Sequence, residues 1–160
     1  MKDSKLLIHF SKTRDFDCVD YYLKNLIRRA VKATLVHEGF DYDTEVSVLL
    51  CDNEYIKKIN RKYRGKNSAT DVLSFPLYDM SGDDEILLLE DECVTLGDVI
   101  ISVERAEKQA KEIGNTLPEE IVFLTVHSML HLLGYDHEIS EQEEARQITA
   151  QKEIISRLDV

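Results

Sequence analysis

His127, His131 and His137 fall in one stretch, His127-Ser128-Met129-Leu130-His131-Leu132-Leu133-Gly134-Tyr135-Asp136-His137, and make up three of the 5 histidines in the chain. If the first two lie on a helix, four residues advance the chain by about 6 Å and slightly more than one turn. Both imidazoles then leave the same face and can grip one metal ion. Gly134 can end that helix in a left-handed conformation, and the chain can turn back to deliver His137 as a third ligand. Three neutral nitrogen donors with no fourth protein ligand nearby describe an open zinc site, the arrangement of catalysis rather than of a structural staple. Imidazoles also accept nickel, copper or iron, so spacing alone does not fix the metal.

The same spacing matches the pattern His-Glu-x-x-His-x-x-Gly-x-x-His of the metzincin proteases, with one decisive difference. Ser128 stands where those enzymes carry their glutamate base. A hydroxyl with a pKa far above neutrality does not take a proton as a carboxylate does, so the ligand geometry is shared and the proteolytic machinery is not. Asp136 is open to three roles: orienting a ligand imidazole from behind, helping to move a proton, or shaping the turn. His9 and His37 stand alone and are given no role.

A second chemical feature lies earlier. From Lys57 to Lys66 six of ten residues are basic: Lys57, Lys58, Arg61, Lys62, Arg64 and Lys66. From Asp83 to Glu92 six of ten are acidic. The formal net charge of −11 argues against non-specific nucleic-acid binding by the whole surface. A local basic face on an acidic body can still hold a phosphate backbone, although such a run is equally well a solvated helix face.

The elements that must position these residues are legible from periodicity and caps. The chain has 160 residues, enough for one domain with a real core. A hydrophobic share of 43% and a charged share of 32% suit a soluble globular protein. No apolar run approaches bilayer length, and the N-terminus is not expected to be a signal peptide. Cys18, Cys51 and Cys93 form no metal knuckle or redox pair, so reduced thiols and a cytoplasmic location are expected.

Strands are expected at Leu6–Phe10, Glu45–Cys51, Asp71–Phe75 and Gly97–Ser102. Helices are expected over Cys18–His37, from a cap at Asp52 or Asn53 to Tyr63, and from a cap at Ser102 to Gly114. Thr116-Leu117-Pro118-Glu119 reads as a capping box opening the histidine helix, and Ser140-Glu141-Gln142-Glu143 as one opening a last helix that runs almost to Val160. The order β-α-β-α-β-β-α-α-α describes an α+β domain: a small central mixed sheet of about four strands with helices packed on it, the metal site lying on a helix and the following turn. Tyr78 to Glu92 is the expected long loop.

Three segments resemble the YbeY family of single-strand-specific metallo-endoribonucleases. They are Asn60-Arg61-Lys62-Tyr63-Arg64-Gly65-Lys66 with Thr70-Asp71-Val72-Leu73-Ser74-Phe75-Pro76, then Leu96-Gly97-Asp98-Val99-Ile100-Ile101-Ser102, then the histidine stretch. They stand in the family's order, and the one departure is Ser128, where the family usually has glycine. The resemblance implies one zinc ion on His127, His131 and His137. It implies a role in 3′-end maturation of small-subunit (16S) rRNA and in ribosome quality control. It also implies that Arg64 matters for activity.

The leading expectation is therefore a single zinc-dependent endoribonuclease domain over residues 1–160. Its partners would be single-stranded RNA, rRNA above all, and the small ribosomal subunit or its proteins, with no membrane. Arg64 would stabilise charge on the phosphate in the transition state. Asp136 is a second catalytic candidate, and Lys57, Lys58, Arg61, Lys62, Arg64 and Lys66 would steer the RNA backbone. Two rival readings are an assembly factor for the ribosome with a mainly structural zinc, in which the acidic run meets a basic ribosomal protein, and a zinc hydrolase of another substrate.

Overall fold

Helix starts are set by short polar side chains. Asp20, Asp52, Ser102, Thr116 and Ser140 each sit in extended backbone and accept the N–H three residues on, from Leu23, Tyr55, Arg105, Glu119 and Glu143. Each satisfies one of the orphan donors of a helix N-terminus. The helices they open are α1 (Tyr21–His37), α2 (Asn53–Arg64), α3 (Val103–Ile113), α4 (Leu117–Leu132) and α5 (Glu141–Ser156). Gly65 and Gly114 end α2 and α3 in the left-handed region, at φ 69 and 78. The computed structural model describes residues 4–78 and 93–160. The acidic run Asp83–Glu92 and nearly all of the loop expected from Tyr78 lie outside the described residues.

Four strands, β1 (Leu6–Lys12), β2 (Thr44–Cys51), β3 (Val72–Pro76) and β4 (Val94–Ser102), form one sheet in the order β1-β2-β4-β3. β1, β2 and β4 run parallel, and β3 pairs antiparallel with β4 at the edge. The fold is thus the expected α+β arrangement on a four-stranded mixed sheet. One sheet face packs on α1, α3 and α4 through Val46, Val48, Val99, Ile101, Ile27, Val31, Ile121, Leu124 and Met129. The other is covered by α2, with Ile56 against Leu73, Cys51 and Ile100. A third core joins α1, α4 and α5 through Leu26, Ala30, Val126, Leu130, Ala150 and Ile154. Helix α4 is shared by two cores, and the site depends on this.

Several boundaries differ from the periodicity. α1 begins at Tyr21 rather than Cys18, because Asp20 takes the Leu23 N–H at 2.9 Å and so closes the helix there. α5 stops at Ser156, short of Val160. Its cap is half a capping box: Ser140 accepts from Glu143, while the Glu143 carboxylate turns to Arg146 at 2.9 Å. β4 starts at Val94, three residues before Gly97, because its first residues still pair with Thr44 and Glu45 of β2. Between Glu45/Thr95 and Ser47/Asp98, β4 carries an extra residue, a bulge at the glycine.

Gly97 lies at φ 143, opposite Pro76 of the edge strand. A β-carbon there would stand 2.1 Å from the Phe75 carbonyl oxygen. Only glycine lets β3 approach this closely. Replacing Gly97 by Ala is expected to destabilise the fold by at least ~2 kcal/mol in urea unfolding, from strain and overpacking together; a midpoint equal to that of the parent would show that the bulge yields freely.

His37, given no role from sequence, clamps α1 to α5. Its Nε2 lies 2.7 Å from Glu153 Oε2 and its Nδ1 2.7 Å from Glu38 Oε2. Both nitrogens donate only in the imidazolium, so the hydrogen bond to Glu153 first, and Glu38 second, raise the His37 pKa against an opposing effect of burial. A raised folded pKa contributes stability that is present below the unfolded pKa and lost as pH rises through the folded one. The stability advantage over His37→Gln should therefore be largest between about pH 5 and 6.5 and shrink above it; an advantage that grew with pH would exclude the charged clamp.

Candidate metal centre

Helix α4 starts with a complete capping box. Thr116 Oγ1 accepts from Glu119 N at 3.3 Å and Glu119 Oε1 from Thr116 N at 3.0 Å, with Pro118 in the first turn. From Glu120 to Leu132 every side chain is buried except Phe123, His127 and His131. These three recur every four residues and form one stripe. The helix ends at Leu132 with Leu133 as its cap, so Gly134 takes the next position, where a left-handed glycine stop belongs. Gly134 follows at φ 104 and donates to His131 O at 3.1 Å. Tyr135 then drops into the core shared with α1 and α5, its ring 3.8 Å from the Arg146 guanidinium. Asp136 Oδ1 accepts the Glu138 N–H at 3.0 Å and shapes the turn that presents His137.

The three imidazoles converge. His127 Nε2 and His131 Nε2 are 3.2 Å apart, as are His131 Nε2 and His137 Nδ1, and the three candidate donor atoms lie within 4.8 Å of one another. Metal–nitrogen bonds of ~2.05 Å in a tetrahedron put neighbouring nitrogens ~3.3 Å apart, so the spacing fits one zinc-sized ion. The donor set fits too. His127 Nδ1 donates to Gln151 Oε1 at 2.6 Å, which leaves the Nε2 lone pair facing the cluster. Burial, then the two neighbouring imidazoles, pushes the His131 pKa down to about 4. Burial also lowers that of His127, with the Gln151 bond opposing it. Both are neutral near pH 7, as metal ligation requires. His127, His131 and His137 are thus the residues able to hold a metal, and no fourth side chain joins them among the described residues.

Sequence reasoning missed the support behind His127. Gln147 and Gln151, one turn apart on α5, are 1% and 6% exposed, and Gln147 Nε2 reaches the His127 carbonyl at 3.4 Å. Two glutamines beside the apolar Ala150 and Ile154 of α5 were the available signal. The contact behind His127 comes from Gln151, and the bond shown for Asp136 is the one that shapes its turn. Also unforeseen is a polar brace between β3, α3 and α4. Gln109 Nε2 donates to Asp71 Oδ2 at 3.2 Å and to Glu120 Oε1 at 3.0 Å. Glu120 is 3% exposed, and burial raises its pKa. Ser128 is buried and bonded to Ser74 Oγ at 2.5 Å, so the residue after the first histidine ties α4 to β3.

The histidines open into a cleft of about 680 Å³ between α4 and β3, whose walls include Arg64, Lys66, Asp71, Ser74 and Asp136. Of the basic run, the structure brings Arg64 and Lys66 to the histidines. Arg64 reaches Glu138 at 3.8 Å, beside the turn that carries His137. Asn60, 2% exposed, holds the loop after α2 by donating to Ser68 O at 2.9 Å. Lys57, Lys58, Arg61 and Lys62 lie exposed on α2, outside the cleft walls, with Lys58 3.7 Å from Glu54.

A buried helix presenting two imidazoles, a third after a glycine turn, and a cleft with basic arms define an α+β protein with a three-histidine cluster able to hold a metal ion. The family model Endoribonuclease YbeY matches residues 9–159. Among curated relatives, an Endoribonuclease YbeY of Caldanaerobacter subterraneus subsp. tengcongensis is 48% identical, over 82% of this chain and 83% of its own. One of Clostridium acetobutylicum is 37% identical over 96% of this chain and 99% of its own. The solution structure of a Thermotoga maritima protein shares the fold at a TM-score of 0.61 and 26% identity, covering 93% of this chain and 87% of that one. The chain belongs to the YbeY family of endoribonucleases. Among the described residues no helix is long and apolar enough to cross a membrane.

Replacing Gln151 by Leu is expected to weaken metal binding about 10- to 100-fold in competition with a chelator, with the helical circular dichroism retained. Unchanged affinity would show that the ring of His127 needs no partner behind it.

Proposed function

We propose that this protein is a zinc-dependent endoribonuclease of single-stranded RNA, one domain over residues 1–160, acting in 3′-end maturation of 16S rRNA and in ribosome quality control. The observation that carries the reading is the convergence of three imidazole nitrogens, that of His131 lying 3.2 Å from each of the other two, in a cleft that also holds Arg64 and Lys66. Family membership supports RNA as the substrate. Cys18, Cys51 and Cys93 are all free thiols, which suits a cytoplasmic protein working with the small ribosomal subunit.

When bound at His127, His131 and His137, a zinc ion supplies Lewis-acid polarisation of a phosphate and a lowered pKa for water. The chain's own residues do the rest. Arg64, set at the end of α2, offers a planar fork that makes two hydrogen bonds to a phosphate and can shed its weak, exposed pairing with Glu138. Lys66 adds a second positive charge on the same wall. Lys57, Lys58, Arg61 and Lys62 extend that charge along α2 and steer the RNA backbone toward the cleft. Asp136 holds the His137 turn and stands in the cleft wall, where it can take a proton. Ser128, bonded to Ser74, supplies no base.

Chelation of the purified protein should abolish cleavage of single-stranded RNA, and zinc should restore it. His131→Ala should cut the rate at least ~100-fold while the protein stays folded. A folded His131→Ala protein that processes RNA at the parental rate would leave only a structural role for the metal. Arg64→Ala is expected to lower cleavage without releasing zinc, and elemental analysis separates that outcome from a structural defect.

A further inference from the structure

Phe123 stands out among the side chains that the metal chemistry does not use. It lies one turn before His127, on the only stripe of α4 that meets water. It is 41% exposed and belongs to none of the three cores formed by the described residues. Its ring centroid is 6.2 Å from that of His127, with the two planes 21° apart. Single exposed apolar residues are ordinary on protein surfaces. This one is set apart by its alignment, a flat ring nearly parallel to the imidazole of His127, which itself lines the cleft whose walls carry Arg64 and Lys66. A cationic wall calls for a polyanion, and a free aromatic face calls for a flat apolar partner. One ligand that carries both at short repeat is a nucleic-acid strand.

We propose that Phe123 is a stacking platform that holds an unpaired base of the RNA beside the metal centre while Arg64 and Lys66 hold its phosphates. The inference rests on the endoribonuclease reading and deepens it. In a duplex each base is already stacked and paired, so its face is not available to a protein ring; an unpaired base can be splayed onto it. Stacking does not read base edges, so this device selects single strands and tolerates many sequences.

The chain contains no tryptophan, so Phe123→Trp places a sole tryptophan at the platform, excited selectively over the tyrosines at the red edge of its absorption. Full-length, zinc-loaded Phe123→Trp should be quenched by a single-stranded 2′-O-methyl oligonucleotide. An abasic strand of the same length and the same sequence in duplex should quench it far less. In cleavage assays Phe123→Ala should raise KM for single-stranded RNA about tenfold, more than it lowers kcat, and Phe123→Tyr should restore the parental KM. Equal quenching by the abasic strand, no quenching at all, or an unaltered KM for Phe123→Ala would overturn the platform, the ring then being cover for a protein partner. If the parent cleaves RNA while Phe123→Ala has the parental KM, only the platform fails. If base-dependent quenching is seen and the parent does not cleave RNA, the platform stands and the nuclease reading fails.

Discussion

The structure turns on one constraint. Neutral imidazole nitrogens must be held 3.2 Å apart in a protein rich in water-facing carboxylates. Left to themselves, such nitrogens would protonate or swing into solvent. Helix α4 prevents both. It is packed on one side against the sheet and on another against α1 and α5, so two cores fix its rotation. Its one wet stripe is then forced to carry His127 and His131, and the burial that fixes the helix also keeps those rings uncharged. The third ligand needs a different device. Gly134 reverses the chain, and Tyr135, plugged into the α1–α5 core, anchors the reversal.

The cleft shows how an acidic protein can accommodate a polyanion. The formal net charge is −11, yet Arg64 and Lys66 face the histidines. Two features place them: the left-handed glycine that ends α2, and Asn60, which holds the loop beyond. Lys57, Lys58, Arg61 and Lys62 stay out on the helix surface, outside the cleft walls. The opposite pull comes from Glu138, Asp71 and Asp136 around the cleft. A phosphate bound there would have to be recognised locally, by geometry, since the protein as a whole is acidic.

Local signals were readable in the chain. The capping residues Asp52, Ser102 and Thr116, the stops at Gly65 and Gly114, and the histidine spacing all act within a few residues, and each appears in the fold where its chemistry puts it. Signals that depend on a distant partner were not readable. Gln151 is an unremarkable helix residue until α5 packs against His127. His37 looks solitary until Glu153, far along the chain, meets it. The early start of β4 depends on pairing with β2, and the need for glycine at position 97 on the approach of Phe75. Gln109, joined to both Asp71 and Glu120, is legible only after three elements have come together.

All of this converges on His127, His131 and His137, which stand close enough together to hold a single ion. X-ray absorption at the zinc edge, on the full chain loaded with one equivalent of zinc, reads that coordination directly. Three imidazole nitrogens at about 2.0 Å with one further light-atom neighbour are expected. A sulfur neighbour at about 2.3 Å, or fewer than three imidazoles, would contradict the three-histidine centre.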